Sequence, residues 1–148
     1  MICDTIYAMD GAWDLGPLTP QRLSILFFLF PLQACITSRK LIGAFLLSSL
    51  VLLGLYTHRP QHSFREKSLE IILDRGLIIS LAYYNIFQLI SCTIRDIVIA
   101  FVFAFICGFV GYLRTNLPFR HPVRDGLHCI LHFSGAFGTY VVVMQDRK

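Results

Sequence analysis

The stretch IVIAFVFAFICGFVGYL, residues 97–113, contains no charged side chain over 17 consecutive positions. A helix needs about 17 to 25 predominantly apolar residues to cross the hydrocarbon core of a bilayer. The apolar residues form a continuous block here, not the strict alternation that is typical of a half-buried strand. The stretch therefore predicts a membrane-spanning helix.

Four further apolar blocks accompany this one along the 148-residue chain. The five predicted spans cover residues 23–38, 41–57, 76–94, 97–113 and 126–144. Hydrophobic residues other than Gly make up 55% of the chain, whereas soluble domains average about 45–50% with Gly included. Pro31 interrupts the first span, which is also compatible with a re-entrant or interfacial segment. We expect an all-α, polytopic membrane helix bundle of about five transmembrane helices.

The charged residues and the cysteines restrict the function classes further. Residues 1–22 form a polar N-terminal tail with an acidic opening, unlike the basic opening of a secretory signal. The net charge is +4, and the basic residues lie between spans, a pattern that suits lipid headgroups. None of the five cysteines forms a CxxC pair, so neither a disulfide framework nor a zinc ribbon is indicated. The sequence predicts one multi-pass domain, residues 1–148. Its expected partners are membrane lipid and a possible partner membrane subunit, and not nucleic acid.

Four ionisable residues are predicted to share one face of the membrane. If the spans cross alternately, His58 ends the second span, Asp74 begins the third, and His128 and His132 begin the fifth. Residues four apart on a helix point the same way, which applies to His128 and His132. Three imidazoles and a carboxylate can therefore converge between three helices.

Such a set is typical of a catalytic zinc site. Zinc binds imidazole nitrogen, and catalytic sites often combine three protein ligands with a water. His58, His128 and His132 are the predicted ligands. Asp74 is the predicted catalytic residue, which would accept a proton from the water or orient a ligand.

Each of these residues also has an ordinary explanation. His58 lies in a charged loop where imidazole is simply solvated, and Asp74 could pair with a neighbouring base or cap a helix beginning at Gly76. Ionisable residues within spans usually face the bundle interior, so His128 and His132 could make structural hydrogen bonds to a neighbouring helix. Both interpretations stay open at the level of the sequence.

The run from His128 to His132, followed by the small-residue stretch 134–140 that ends at Tyr140, resembles the last-span motif of the CREST superfamily of membrane hydrolases. That superfamily includes the alkaline ceramidases, GPI-remodelling lipases and the progestin and adiponectin receptors. His58 and Asp74 fall where the family has a His at the end of one span and an Asp at the start of the next. The resemblance implies zinc on His58, His128 and His132, assistance from Asp74, and a lipid amide or ester as substrate.

The resemblance covers roughly residues 54–75 and 125–140. The family usually has seven spans, and it has Ser four residues before the first His, where this chain has Gly54. Two other functions are expected as alternatives. The chain could be a non-catalytic membrane subunit or assembly protein with structural histidines. It could also be a haem-binding membrane anchor of a respiratory complex, because histidines on different helices, such as His58 and His128, can ligate haem.

Overall fold

The computed structural model describes residues 19–57, 68–117 and 123–147, and every regular element among them is helical. The first helical segment, residues 20–37, consists of two α-helices, α1 (Pro20–Ile25) and α2 (Leu29–Thr37), joined by a 3₁₀ turn. The elements are α1 (Pro20–Ile25), the 3₁₀ turn Leu26–Phe28, α2 (Leu29–Thr37), α3 (Leu41–Thr57), α4 (Ser68–Gln88), the 3₁₀ turn Leu89–Ser91, α5 (Ile94–Asn116), α6 (Val123–Val143) and the 3₁₀ turn Met144–Arg147. The predicted all-α helix bundle is confirmed.

Local sequence signals explain where several of these helices begin. Thr19 caps α1 by accepting a hydrogen bond from the Arg22 N–H, and Thr93 caps α5 by accepting from the Asp96 N–H. A hydroxyl at this position satisfies an amide that lacks an intrahelical partner. Pro31, which interrupts the first predicted span, is the third residue of α2. Helix α2 follows directly on the 3₁₀ turn Leu26–Phe28, and proline, which has no amide hydrogen, is tolerated in the first turn of an α-helix.

The first helical segment, α3 and α4 run in alternating directions. Ile25, near the start of the first segment, packs at Gly54 near the end of α3. The chain reverses between α2 and α3 through Arg39, which has a positive φ of 56°. Just beyond this turn, Lys40 donates a 2.9 Å hydrogen bond to Gln88 at the end of α4. The start of α3 therefore lies beside the end of α4.

Helix α5 runs antiparallel to α6 over most of its length. Cys107 on α5 donates to the Leu131 carbonyl of α6, and the rings of Phe103 and Phe137 lie 4.8 Å apart. The first segment runs parallel to α6, because Ser24 contacts His132 and Phe28 contacts Gly135. The starts of α1 and α6 thus share one end of the bundle, which we call the histidine end.

Among the residues that the structure describes, two helices are long and apolar enough to cross a membrane, namely α5 and α6. The apolar windows of these helices are 11% and 33% buried inside the bundle, whereas the core helix of a soluble domain would be mostly buried. Helix α3 is apolar but has only 17 residues. Helix α4 begins at Ser68, before the predicted start at residue 76, and ends at Gln88. Five crossings remain a prediction.

Gly43 marks the closest packing between the first segment, α3 and α4. A Cβ atom at Gly43 would lie 2.6 Å from the Tyr84 hydroxyl oxygen and 2.7 Å from the Cys35 sulfur. We expect Gly43→Ala to lower the free energy of unfolding by about 1–3 kcal/mol, the usual cost of overpacking. Gly76→Ala is the matched control, because a Cβ there would meet nothing within 4 Å. Thermal unfolding in detergent measures both, and an equal loss would contradict this account of Gly43.

A histidine pair held between the first helical segment and α6

His128 and His132 lie side by side on α6, one turn apart. Their ring centroids are 4.3 Å apart and their planes meet at 66°, an edge-to-face arrangement. His128 is buried, with 8% of its surface exposed, and His132 is half-buried. Neither side chain is fully exposed. Such burial is compatible with a role in packing, binding or catalysis.

Ser24 on α1 fixes the orientation of the His132 ring. The Ser24 Oγ lies 2.7 Å from His132 Nδ1 and also donates a 2.7 Å hydrogen bond to the Gln21 carbonyl. A hydroxyl has one hydrogen and a carbonyl can only accept, so the Ser24 hydrogen points to Gln21. This pattern favours His132 Nδ1 as the donor to Ser24, and in a neutral imidazole the lone pair would then be on Nε2.

The first helical segment makes several contacts with α6 around the pair. The ring centroids of Phe28 and His132 are 6.0 Å apart, in an edge-to-face arrangement. The Cys129 thiol donates a 3.5 Å hydrogen bond to the Pro20 carbonyl. Gln21 donates to the carboxylate of Asp125. The sequence reasoning missed Ser24 because nothing local distinguishes it from other serines in apolar blocks, such as Ser48.

Asp74 lies within the second turn of α4, so the expectation that it caps a helix beginning at Gly76 is wrong. The reason is that α4 starts eight residues earlier, at Ser68. Asp74 is half-buried and precedes the third predicted span. Burial raises the pKa of its carboxyl, and the neighbouring Arg75 guanidinium opposes part of that rise.

Asp74 and His128 lie at a similar level of the bundle. Asn85 on α4 donates a 2.8 Å hydrogen bond to Thr139 on α6. Beyond it, the Cys92 thiol approaches the Val142 carbonyl, so the two helices run parallel. Asp74 precedes Asn85 by 11 residues, and His128 precedes Thr139 by 11 residues. Asp74 and His128 are thus each about three helical turns from the Asn85–Thr139 contact, in the direction of the histidine end.

The third predicted ligand, His58, lies outside the described residues. It follows directly on Thr57, where α3 ends near the histidine end. Among the residues that the structure describes, no group of three or more His, Cys, Asp or Glu side chains is arranged to hold a metal ion. Two of the three predicted ligands are therefore brought together, and the complete set is not observed.

Gly54 is a packing position in this bundle. A Cβ at Gly54 would lie 2.7 Å from the Ile25 Cδ1 atom. A serine at this position would therefore require the Ile25 side chain to shift. Gly54 thus lets the first segment and α3 approach closely.

Fold and site together define a helical bundle with two helices suited to a membrane and a histidine pair oriented by a serine. No family model, curated protein or solved structure matches the chain.

Proposed function

We propose that the protein is a membrane-embedded, zinc-dependent hydrolase of a lipid amide or ester. The observation that carries the proposal is the His128–His132 pair, with ring centroids 4.3 Å apart and His132 Nδ1 held 2.7 Å from the Ser24 hydroxyl oxygen. Two imidazoles one turn apart provide a pair of ligand nitrogens on one helix face. The outward side of α5, which is apolar and 11% buried over its window, supports the embedding in lipid.

The chemistry of the described side chains fits two positions of a three-histidine zinc site. Metal-binding histidines usually donate their other ring N–H to a protein acceptor, which fixes the ring, and His132 donates in this way to Ser24. His128 and His132 would hold the metal together with His58. When bound, zinc supplies the acidity that makes hydroxide available near neutral pH.

Asp74 would act as the proton acceptor. A general base works best when its pKa approaches the operating pH. Burial moves the pKa of the Asp74 carboxyl upward, in that direction. Its separation along α4 from the Asn85–Thr139 contact equals that of His128 along α6, which supports a position near the same end of the bundle as the pair.

A second function is favoured by one specific contact. The Ser24–His132 hydrogen bond, 2.7 Å long and part-buried, joins α1 to α6. That contact alone gives His132 a structural role, as expected for a non-catalytic membrane subunit or assembly protein. A haem-binding anchor would use His58 and His128 as axial ligands instead.

Metal analysis of the purified chain separates these functions. The protein should be prepared with zinc supplementation in detergent and assayed for metal, for a haem absorbance band and for hydrolysis of ceramide-like and phospholipid substrates. One equivalent of zinc with hydrolysis is the expected result. Iron with a haem band would support the anchor, and a metal-free, inactive protein would support the structural subunit.

A further inference from the structure

A groove follows the contact between the first helical segment and α6, on the side that is open to the surroundings. Its larger part encloses about 450 Å³, and its lining residues are Phe27, Phe30, Phe133, Ala136, Phe137 and Tyr140. A second cavity of about 220 Å³ shares Phe30 and Tyr140 with the first and continues past Gln33 and Thr37. We call the two together the aromatic groove.

The length of the aromatic groove matches one leaflet of a bilayer. Phe27 and Thr37 are ten residues apart on nearly continuous helix, which is about 15 Å at 1.5 Å per residue. The hydrocarbon core of a bilayer is about 30 Å thick, so one leaflet accounts for about 15 Å. Helix α6, which forms one wall of the groove, is long and apolar enough to cross a membrane. In a crossing helix, this wall would lie at the depth of acyl chains.

The polarity of the groove changes along this length. Phenylalanine rings surround the part near Phe27 and Phe133, whereas Gln33 and Thr37 line the part near the turn that follows α2. Arg39, an exposed cation, lies two residues beyond Thr37 in that turn. An occupant that is apolar at one end and anionic at the other complements both parts.

We infer that the aromatic groove binds one acyl chain of a membrane phospholipid, with the phosphate headgroup beside Thr37 and Arg39. A basic residue near a membrane surface attracts anionic lipid, and aromatic side chains offer a large apolar contact area. The headgroup end lies away from the histidine end, near Met144 of the last turn. This site shares membrane embedding with the proposed function but requires neither metal nor hydrolysis.

Native mass spectrometry of the detergent-purified chain, titrated with dioleoylphosphatidylglycerol, tests the inference. The expected result is saturation at one bound lipid. Phe30→Ala removes a groove wall and should weaken binding about tenfold, the scale of one lost aromatic contact. Phe45→Ala is the matched control, because Phe45 is a similarly exposed ring, 69% against 64% for Phe30, on α3.

A second pair of variants tests the headgroup. Arg39→Asn removes the charge and keeps a residue that tolerates positive φ, and it should weaken binding about fivefold. Arg95→Gln removes an exposed charge in the first turn of α5 and should have no effect. Equal weakening by Phe30→Ala and Phe45→Ala, or no saturation at one lipid, would overturn the inference. A lipid-free dimer would assign the groove to a second copy of the chain and overturn it as well.

Discussion

Replacing His132 with alanine is expected to lower the zinc affinity of the protein by more than ~100-fold and to abolish hydrolysis. Loss of a residue that merely supports a ligand already costs about 10–100-fold in metal affinity, and His132 is a proposed ligand itself. The change also removes the hydrogen bond to Ser24, which should cost about 1 kcal/mol of stability. Zinc content and lipid hydrolysis of the purified variant measure the two effects separately.

Thr139→Ala is the matched control for this experiment. Thr139 is buried on the same helix, is 2% exposed and accepts a hydrogen bond from Asn85. Its loss should cost a similar amount of stability and leave zinc content unchanged. If wild type and both variants are equally free of zinc and differ only in melting temperature, the histidine pair is structural and the hydrolase proposal is wrong.

Asp74→Asn is expected to reduce hydrolysis by ~10²–10⁴-fold, the usual contribution of a general base, while zinc stays bound. Asparagine keeps the size and hydrogen-bonding capacity of the side chain but accepts no proton. Asp125→Asn is the control, since Asp125 is an exposed carboxylate at the start of α6 near the same end of the bundle. Comparable losses in both variants would point to a general effect of charge instead of a base at Asp74.

Although Asp74→Asn is expected to reduce hydrolysis, it should stabilise the folded chain at neutral pH. Burial raises the pKa of the Asp74 carboxyl above its ordinary value of 3.8, so the folded chain holds this proton more tightly than the unfolded chain does. The resulting stabilisation is complete below the ordinary pKa and is lost as the pH rises through the raised pKa. Relative to wild type, Asp74→Asn should therefore melt higher at neutral pH, and the difference should shrink in acid. A lower melting temperature at neutral pH would reveal a favourable ion pair of Asp74.

Ser24→Ala tests the orientation of the His132 ring. We expect the lost hydrogen bond to destabilise the chain by about 1 kcal/mol and to release the preference for hydrogen on Nδ1. Nitrogen NMR of histidine-labelled protein distinguishes the two ring nitrogens and reports this preference directly. An unchanged spectrum would mean that another contact of His132 sets the tautomer.

The helical elements of this chain were predictable from the sequence because the signal for them is local. Uninterrupted apolar blocks such as residues 97–113 favour helices, and the block became the central part of α5. The pairing of His128 with His132 also follows from helix geometry alone. The apolar pattern predicts a beginning at residue 76 for the third span, whereas α4 begins at Ser68. The difference arises because the first turns of α4 are more polar than the predicted span.

The partners of these residues were decided only by tertiary packing. Ser24 and His132 are 108 positions apart, and no local pattern indicates that the first segment packs along α6. Which helices become neighbours depends on how their side chains fit together, as at Gly43 against Tyr84 and at Gly54 against Ile25. Interiors are close-packed, so helix neighbours follow from complementary shapes that distant stretches of the chain supply together. The sequence alone therefore determined the helices and the histidine pair, whereas the structure decided that a serine on the first segment holds His132.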